Sequence, residues 1–291
     1  MSGLLERVLL IGGSGQLGRE VVAAFPSESV TAPSHADLDI ERPDAILFTL
    51  TRLRPTLVVN CAAYHHLDRC EAYPERAFAV NTLAVDRLAA ACALLGAAFA
   101  TFSTDYVFDG TSSTPYREDD RPNPLNAHGV SKLAGEQLVR RHGNRHFIVR
   151  TSGVFGHTVS SVKGYTFVDR VLRQAEAGEP VRVVDDVTFS PSYAPHVATA
   201  LRDLVEREAY GTYHVSNAGE VTWFAFACEA FALRGLDVRP TPVASAIFNR
   251  GARRPRYSPL ALEGIARAGL PPMPPWREGL AEYIRTRSTG E

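Results

Sequence analysis

Apolar runs and helical patterns alternate along the first half of the chain. The apolar runs are "RVLLIG", "VTA", "TLVVN", "AAFATF" and "HFIVR". Residues of helical periodicity lie between them, over 16–25, 43–54, 71–95 and 127–142. Strands that are apolar almost throughout are typical of a parallel sheet with helices on both faces. The pattern therefore predicts an α/β fold, a doubly wound parallel sheet over residues 1–150.

The pattern loosens after residue 150. Short strand-like runs, "PVRVVDD" and "GTYHVSN", mix with helical patterns, and prolines become frequent. The helical patterns cover 165–177, 194–207 and 222–233, and the prolines crowd 240–259 and 271–275. We interpret residues 151–291 mostly as a smaller, substrate-binding lobe, and we expect the segment near 211–235 to return to the first domain.

Composition narrows the class of protein. The 291 residues carry a net charge of −1 without a long basic run, so nothing favours a nucleic-acid partner. The four cysteines form no CxxC pair, which is typical of a reduced, cytoplasmic protein. There is no room for a signal peptide before the first strand-like run. Gly96 interrupts the uncharged stretch "LAAACALLGAAFATFST", so we predict no membrane segment.

A glycine-rich turn follows the first predicted strand. The stretch "LLIGGSGQLGRE" places Gly12, Gly15 and Gly18 between a strand and a helix. A tight turn requires the first glycine, approach of a pyrophosphate to the backbone the second, and close helix packing the third. This context predicts a Rossmann-type dinucleotide site that also includes Gln16 and Leu17.

The end of the second strand bears on which dinucleotide binds. An acidic residue there would hydrogen-bond the ribose of NAD and repel a 2′-phosphate. The chain instead reads "VTAPSHADLDI", with Ser34 and His35 and no acid before Asp37. We therefore predict NADP(H) in preference to NAD(H).

The stretch "NAHGVSK" places His128 four residues before Lys132 at the start of a predicted helix. Positions i and i+4 share one helix face, so both side chains are expected to point into one site. Many reductases have a tyrosine and a lysine at this spacing. Here the first position is a histidine.

These motifs and several others resemble the dTDP-4-dehydrorhamnose reductases, in the extended short-chain dehydrogenase/reductase superfamily. The resemblance covers nearly the whole chain and is most specific in "FSTDYVFDG" and "PNPLNAHGVSKLAGE". Other matching stretches are "GGSGQLGRE", "DLDI", "VVNCAAYHHLDRCEAYPERAFAVN", "VRTSGVFG", "GTYHVSNAGEVTWFAFA" and "RRPRYSPLALEGI". The resemblance implies hydride transfer from a reduced nicotinamide to the 4-keto carbon of a dTDP-linked 6-deoxy sugar.

The resemblance also assigns roles to residues of this chain. Thr104 would hydrogen-bond the keto oxygen of the substrate. Lys132 would hold the nicotinamide ribose and lower the pKa of the acid beside it. Further cofactor contacts would come from Asp39, near the adenine, and from Cys61, Ala62, Ala63, Tyr64 and Asn81.

The catalytic tyrosine of the family aligns with His128. Histidine has a reference pKa of about 6.5, against about 10 for tyrosine. The charge of Lys132 lowers the pKa of a neighbouring histidine further, so His128 is expected to be uncharged at neutral pH and a poor acid. Its ring is also shorter than a phenol, and a bridging water would have to close the gap.

Two more positions depart from the family. Gly153 stands where the family usually has an aromatic residue, often tryptophan, and Phe189 stands where it tends to have glycine. We interpret the exchange as a reshaped sugar pocket. Whether Phe189 fills the space at Gly153 stays open at the level of sequence.

Some residues allow more than one interpretation. Asp105 and Tyr106 are placed in the substrate site, and either could be a replacement acid or structural. Arg254, in "RRPR", could bind the diphosphate of the substrate, or the run could be a solvated surface. The cluster "HHLDRCE" contains ligand types, but its spacing matches no zinc motif, so we predict no metal.

Two hypotheses of different class remain. The first is an NADPH-dependent reductase of a dTDP-keto sugar with a modified proton donor. The second is an NADP(H)-binding homologue that has lost its chemistry and acts as a regulatory or partner subunit. The altered pocket beside an intact glycine turn favours the first. A homodimer is a hypothesis for the assembly.

Overall fold

The computed structural model describes residues 3–157, 164–248 and 251–287. The strands are β1 (Val8–Ile11), β2 (Val30–Thr31), β3 (Leu57–Asn60), β4 (Ala98–Thr104), β5 (His146–Thr151), β6 (Val154–Phe155), β7 (Arg182–Val184), β8 (Thr188–Phe189), β9 (Ser192–Tyr193), β10 (Gly211–His214), β11 (Val221–Thr222) and β12 (Thr241–Val243). The α-helices are α1 (Gln16–Ala24), α2 (Pro43–Leu53), α3 (Leu67–Ala72), α4 (Pro74–Phe78), α5 (Ala84–Leu95), α6 (Ala127–Arg141), α7 (Phe167–Glu176), α8 (Ala194–Glu206), α9 (Trp223–Arg234), α10 (Glu263–Arg267) and α11 (Trp276–Thr286).

Six strands form one parallel sheet in the order β10-β5-β4-β3-β1-β2. The predicted α/β fold with a doubly wound parallel sheet is confirmed. Because β1 lies between β2 and β3, the strand order reverses there. Ligands of open α/β sheets bind outside the carboxyl ends of the strands at such a switch point. The glycine turn follows β1 and the segment 61–64 follows β3, so both flank this point.

Alternate side chains of the central strands point to opposite faces of the sheet. Leu10 and Val59 belong to one buried cluster, in which α1 and α8 cover the sheet. Leu9 and Val58 belong to a second cluster on the other face, which α2 and α5 cover. Burial on both faces explains why these strands are apolar without alternation.

A third buried cluster lies in the C-terminal half and is rich in aromatic residues. Phe155, Phe189, Phe226 and Trp276 are all buried there. Helices α7, α9 and α11 supply much of this cluster. The segment near 211–235 divides between the two parts, because β10 adds an edge strand to the main sheet while α9 packs into the aromatic cluster.

The single helix predicted over 71–95 is wrong in its detail. Helical structure begins at Leu67 and is interrupted at Tyr73, whose φ of −136° and ψ of 66° are not helical. Pro74 explains the break, since proline disfavours helical geometry in the preceding residue. A π-helical turn, Ala79–Leu83, then separates α4 from α5. Hydrophobic periodicity alone does not register either interruption.

One helical stretch among the described residues, Pro74–Leu95, is long and apolar enough to cross a membrane on those two criteria. Core helices of soluble proteins pass the same test, so this is weak evidence for a span. Of its most apolar 18-residue segment, 44% is buried inside the protein.

Candidate active site

The glycine turn has the backbone geometry that a bound pyrophosphate requires. Gly12 has a φ of +78°, and a Cβ there would lie 2.8 Å from the amide nitrogen of Ala62. A Cβ on Gly18 would lie 2.1 Å from the carbonyl oxygen of Gly12. Gly15 is the N-cap of α1 and provides no side-chain cap, which leaves the first amides of that helix open toward an anion.

Gln16 adds an independent sign that a ligand belongs at this turn. Its Nε2 is buried and has no hydrogen-bond partner among the described residues. An unsatisfied buried donor of this kind is uncommon in folded proteins. Together with the glycine geometry, it shows that these residues fit a dinucleotide cofactor. The neighbouring Leu17 instead packs against the core of the sheet.

The segment after β3 is held by Asn81. The Asn81 side chain accepts a hydrogen bond from the Tyr64 amide and donates to the Tyr64 carbonyl, both at 2.9 Å. It also donates to the Ser131 hydroxyl in α6 at 3.1 Å. Asn81 therefore positions the segment that contains Cys61, Ala62 and Ala63, and it fixes that segment against α6.

The residues after β2 lie on the surface. The Ser34 hydroxyl donates to the carboxylate of Asp37 at 2.6 Å. This hydrogen bond holds the pKa of Asp37 below its ordinary value. His35 is exposed, and Asp39 accepts from the Glu41 amide. An anionic side chain thus stands beside the two residues that we expect to face a 2′-phosphate.

Most of the candidate catalytic and substrate residues, but not Lys132 or Arg254, line one cavity of about 310 Å³, which we call the inner cavity. It lies at the carboxyl ends of β4 and β5, next to the start of α6. Residues from all three predicted groups line it, namely Gln16, Thr104, Asp105, Tyr106, His128, Gly153 and Phe189.

His128 faces groups that do not help it to act as an acid. It is 7% exposed, and its ring hydrogen-bonds the backbone carbonyl of Tyr64. The Cys70 sulfur lies 4.0 Å from Nδ1, and the Tyr106 ring meets the imidazole edge-on at 6.4 Å. Burial, with the charge of Lys132, lowers the pKa of His128 to about 3. The imidazole is therefore uncharged at neutral pH.

Lys132 is buried one turn further along α6. Burial lowers its pKa to about 8, while the nearby carboxylate of Glu136 acts in the opposite direction. Lys132 is 7% exposed. Glu136 is itself held by Arg150 of β5, with two contacts of 2.7 and 2.9 Å.

Thr104 ends strand β4, Asp105 follows it, and both line the inner cavity. The Thr104 hydroxyl donates to Asp105 Oδ1 at 3.1 Å and accepts from the Tyr106 amide at 3.2 Å. Asp105 is 5% exposed. Its other oxygen accepts from Ser152 and Ser258 at 2.8 and 2.6 Å.

Gly153 and Phe189 are in direct contact. Gly153 has a φ of +51°, and a Cβ there would lie 2.3 Å from the Phe189 ring. That ring stacks on Trp223, with centroids 3.8 Å apart, and meets Phe226 edge-on. Phe189 thus occupies the space into which a side chain at position 153 would project.

A second cavity of about 400 Å³, the outer cavity, continues from the inner one. Leu67, Tyr106 and Trp223 line both. Arg170, Arg182 and Arg254 line the outer cavity alone.

Residues of the cluster "HHLDRCE" make contacts that hold neighbouring segments together. Asp68 pairs with Arg254 at 3.3 Å, and His66 caps α3. Cys70 donates to the Tyr64 carbonyl, and Glu71 accepts from the Ala127 amide. Within the described ranges, no group of three or more His, Cys, Asp or Glu side chains could hold a metal ion.

Four residues of the site were not predicted from the sequence, namely Ser152, Ser258, Arg170 and Arg182. Ser152 follows β5, and a polar residue at the carboxyl end of a parallel strand is a signal that could have identified it. The other three carry no local signal. Ser258 lies 153 residues from Asp105 in sequence, and only the fold brings it there.

A glycine turn at the switch point of a parallel sheet, with a buried lysine one turn after position 128 on α6, is typical of an extended short-chain dehydrogenase/reductase. A family model described as RmlD substrate binding domain matches residues 6–288. The chain belongs to the dTDP-4-dehydrorhamnose reductase family, as the resemblance implied.

Individual relatives match along nearly their whole length. The chain is 34% identical to the spore coat polysaccharide biosynthesis protein SpsK of Bacillus subtilis, over 98% of this chain and 99% of that protein. It is 38% identical to a dTDP-4-dehydrorhamnose reductase of Streptomyces griseus, over 95% and 92%. A dTDP-4-dehydrorhamnose reductase of Bacillus anthracis, solved in complex with NADP, superposes with a TM-score of 0.91 at 34% identity, covering 96% of this chain and 99% of that one.

Proposed function

We propose that this protein is a cytoplasmic, NADPH-dependent reductase of a dTDP-linked 4-keto-6-deoxy sugar. The observation that carries the proposal is the inner cavity, where Thr104, His128 and Gln16 of the glycine turn converge, with the charge of Lys132 close enough to act on His128. The family membership and the NADP bound to the Bacillus anthracis relative support it.

Different residues of the chain would have different roles in such a reaction. The glycine turn and Gln16 would hold the cofactor, and Lys132 would hold its ribose with its ammonium donors. The bound nicotinamide supplies the hydride. Thr104 would orient the keto oxygen, and the aromatic wall of Phe189 and Trp223 would exclude water from the sugar.

The outer cavity suits the nucleotide part of the substrate. Arg170 and Arg182 form no ion pair with another described residue, so their charge is available to a diphosphate. Arg254 is less free, because Asp68 already binds it. We propose that the C-terminal half acts as the substrate lobe, with Phe189 beside Gly153 giving a sugar pocket of altered shape.

Cofactor choice gives a first prediction. Calorimetry should show tighter binding of NADPH than of NADH by the wild type. Asp37→Asn should tighten NADPH binding further, because it removes a negative charge beside the expected site of the 2′-phosphate. NADH lacks that phosphate, so its affinity for the variant serves as the internal control. Tighter binding of NADH by the wild type would contradict the cofactor assignment.

Ligand-induced stabilisation tests the proposed substrate class. A ligand that binds only the folded state at about 100 times its Kd adds about 2.7 kcal/mol of stability. We expect dTDP-sugars to raise the Tm, the corresponding free sugars to leave it unchanged, and Arg182→Ala to weaken the shift. If a panel of dTDP-sugars at millimolar concentration leaves the melting curve unmoved, the sugar-nucleotide assignment fails.

A further inference from the structure

The Asp105 carboxyl group has an unusual set of partners for a buried acid. The hydroxyl groups of Thr104, Ser152 and Ser258 face it, and no described cation pairs with it. Buried charges in proteins normally have a countercharge. The three hydroxyls also come from separate parts of the chain, namely the end of β4, the end of β5 and the C-terminal segment.

These hydrogen bonds determine where a proton on Asp105 would reside. Oδ2 already accepts from both serines, whereas Oδ1 faces only the Thr104 hydroxyl. A proton on the carboxyl group therefore belongs on Oδ1, from which it is donated to Thr104 Oγ1. A hydroxyl has one donor and two acceptor positions.

The protonation state of Asp105 consequently sets the direction of the Thr104 hydroxyl. When Asp105 is ionised, Thr104 donates to Oδ1 and has no hydrogen left for a substrate. When Asp105 is protonated, Thr104 accepts from Oδ1 and from the Tyr106 amide, which fills both acceptor positions. Its own hydrogen must then point into the inner cavity, where a keto oxygen would lie.

We propose that Asp105 is a positioning residue that stores the proton for the reduction and delivers it through Thr104 in place of His128. This inference rests on the proposed reductase function. Hydride adds to the keto carbon, and the carbonyl π electrons move onto the oxygen. The Thr104 O–H bond breaks as its proton joins that oxygen, and Thr104 Oγ1 takes the proton from Asp105. Asp105 is left as a carboxylate, which regains a proton from water before the next turnover.

The electrostatics of the site agree with this role. Burial raises the pKa of Asp105 to about 6, although its three hydroxyl partners act to lower it. The other titratable groups that line the inner cavity are His65, Tyr106, His128 and Tyr165. Because the protonated form is the active one, the rate of reduction should fall as pH rises through about 6. Ser258→Ala removes a donor that stabilises the carboxylate, so it should move this fall to higher pH.

The experiment is a pH profile of single-turnover NADPH oxidation with a dTDP-4-keto-6-deoxy sugar. Asp105→Asn should lose about 10²-fold or more at pH 6, within the range of general acid catalysis, and its profile should lose the falling limb. The rate of Ser258→Ala should still fall with rising pH, but at a higher pH than in the wild type. The Tm of each variant checks that it folds, and the displacement in Ser258→Ala is a change that a merely structural role for Asp105 would not produce.

Infrared difference spectroscopy on the protein without substrate provides a second readout. We expect a protonated-carboxyl C=O band that disappears on raising the pH through about 6 and is absent in Asp105→Asn. If the wild type is active but Asp105→Asn keeps the same pH profile, the proton route through Asp105 is overturned and the reductase function stands. The same conclusion follows if the active wild type lacks this infrared band. A wild type inert with every sugar overturns the reductase function and the route with it.

Discussion

Replacing Arg150 with methionine should lower the free energy of unfolding by about 3–5 kcal/mol, because it leaves the buried carboxylate of Glu136 without its main countercharge. The Arg150 and Glu136 side chains are 2% and 1% exposed and meet through two hydrogen bonds. Burial raises the pKa of Glu136, but Arg150, with smaller contributions from Ser103 and Arg140, holds that pKa below its ordinary value. The pair also fixes α6, which carries His128 and Lys132, against β5.

Arg140 offers a matched control on the same acid. It contacts Glu136 at 3.1 Å, but its side chain is 32% exposed, so Arg140→Met should cost only about 0–1 kcal/mol. Urea denaturation of both variants measures the difference. Equal losses for the two arginines would show that the buried pair is not what anchors the helix.

Replacing His128 with tyrosine should raise turnover of a dTDP-4-keto-6-deoxy sugar by at least about tenfold at pH 8, since general acids typically contribute about 10²–10⁴-fold. At that pH, Asp105 is mostly ionised and cannot supply a proton. A phenol at position 128 would lie beside the charge of Lys132, which lowers the pKa of a tyrosine toward the working pH. The gain should shrink toward pH 6, where the route through Thr104 also operates. Stopped-flow NADPH oxidation measures it.

Two variants isolate the phenol hydroxyl as the cause of the gain. His128→Phe supplies the ring without the hydroxyl and should show no gain. Adding Lys132→Met to His128→Tyr should remove the gain, because the phenol loses the charge beside it. A fast wild type with a slower His128→Tyr variant would instead make His128 a selected ligand or proton donor for another sugar.

Local rules were sufficient for the sheet and the cofactor turn. The apolar strands, the positive φ of Gly12 and the close packing at Gly18 all follow from steric demands within a short stretch of chain. The spacing of His128 and Lys132 likewise placed both on one face of α6. Each of these features depends on neighbours in sequence.

The remainder of the site depends on contacts between distant segments. Asp105 meets serines that lie 47 and 153 residues away, and Asp68 meets Arg254 across 186 residues. The sequence placed Asp105 in the substrate site but gave no reason to expect the hydroxyls that set its protonation. Contact between Gly153 and Phe189 was likewise a hypothesis until the fold supplied the distance.

Absorbance of NADPH, followed after mixing wild-type protein with dTDP-4-keto-6-deoxy sugars, tests the proposed function most directly. We predict a loss of absorbance that requires both the sugar and the protein and that slows as pH rises above about 6. Tight binding of NADPH and of a dTDP-sugar, with no NADPH consumed for any 4-keto-6-deoxy sugar at any pH, would contradict this prediction.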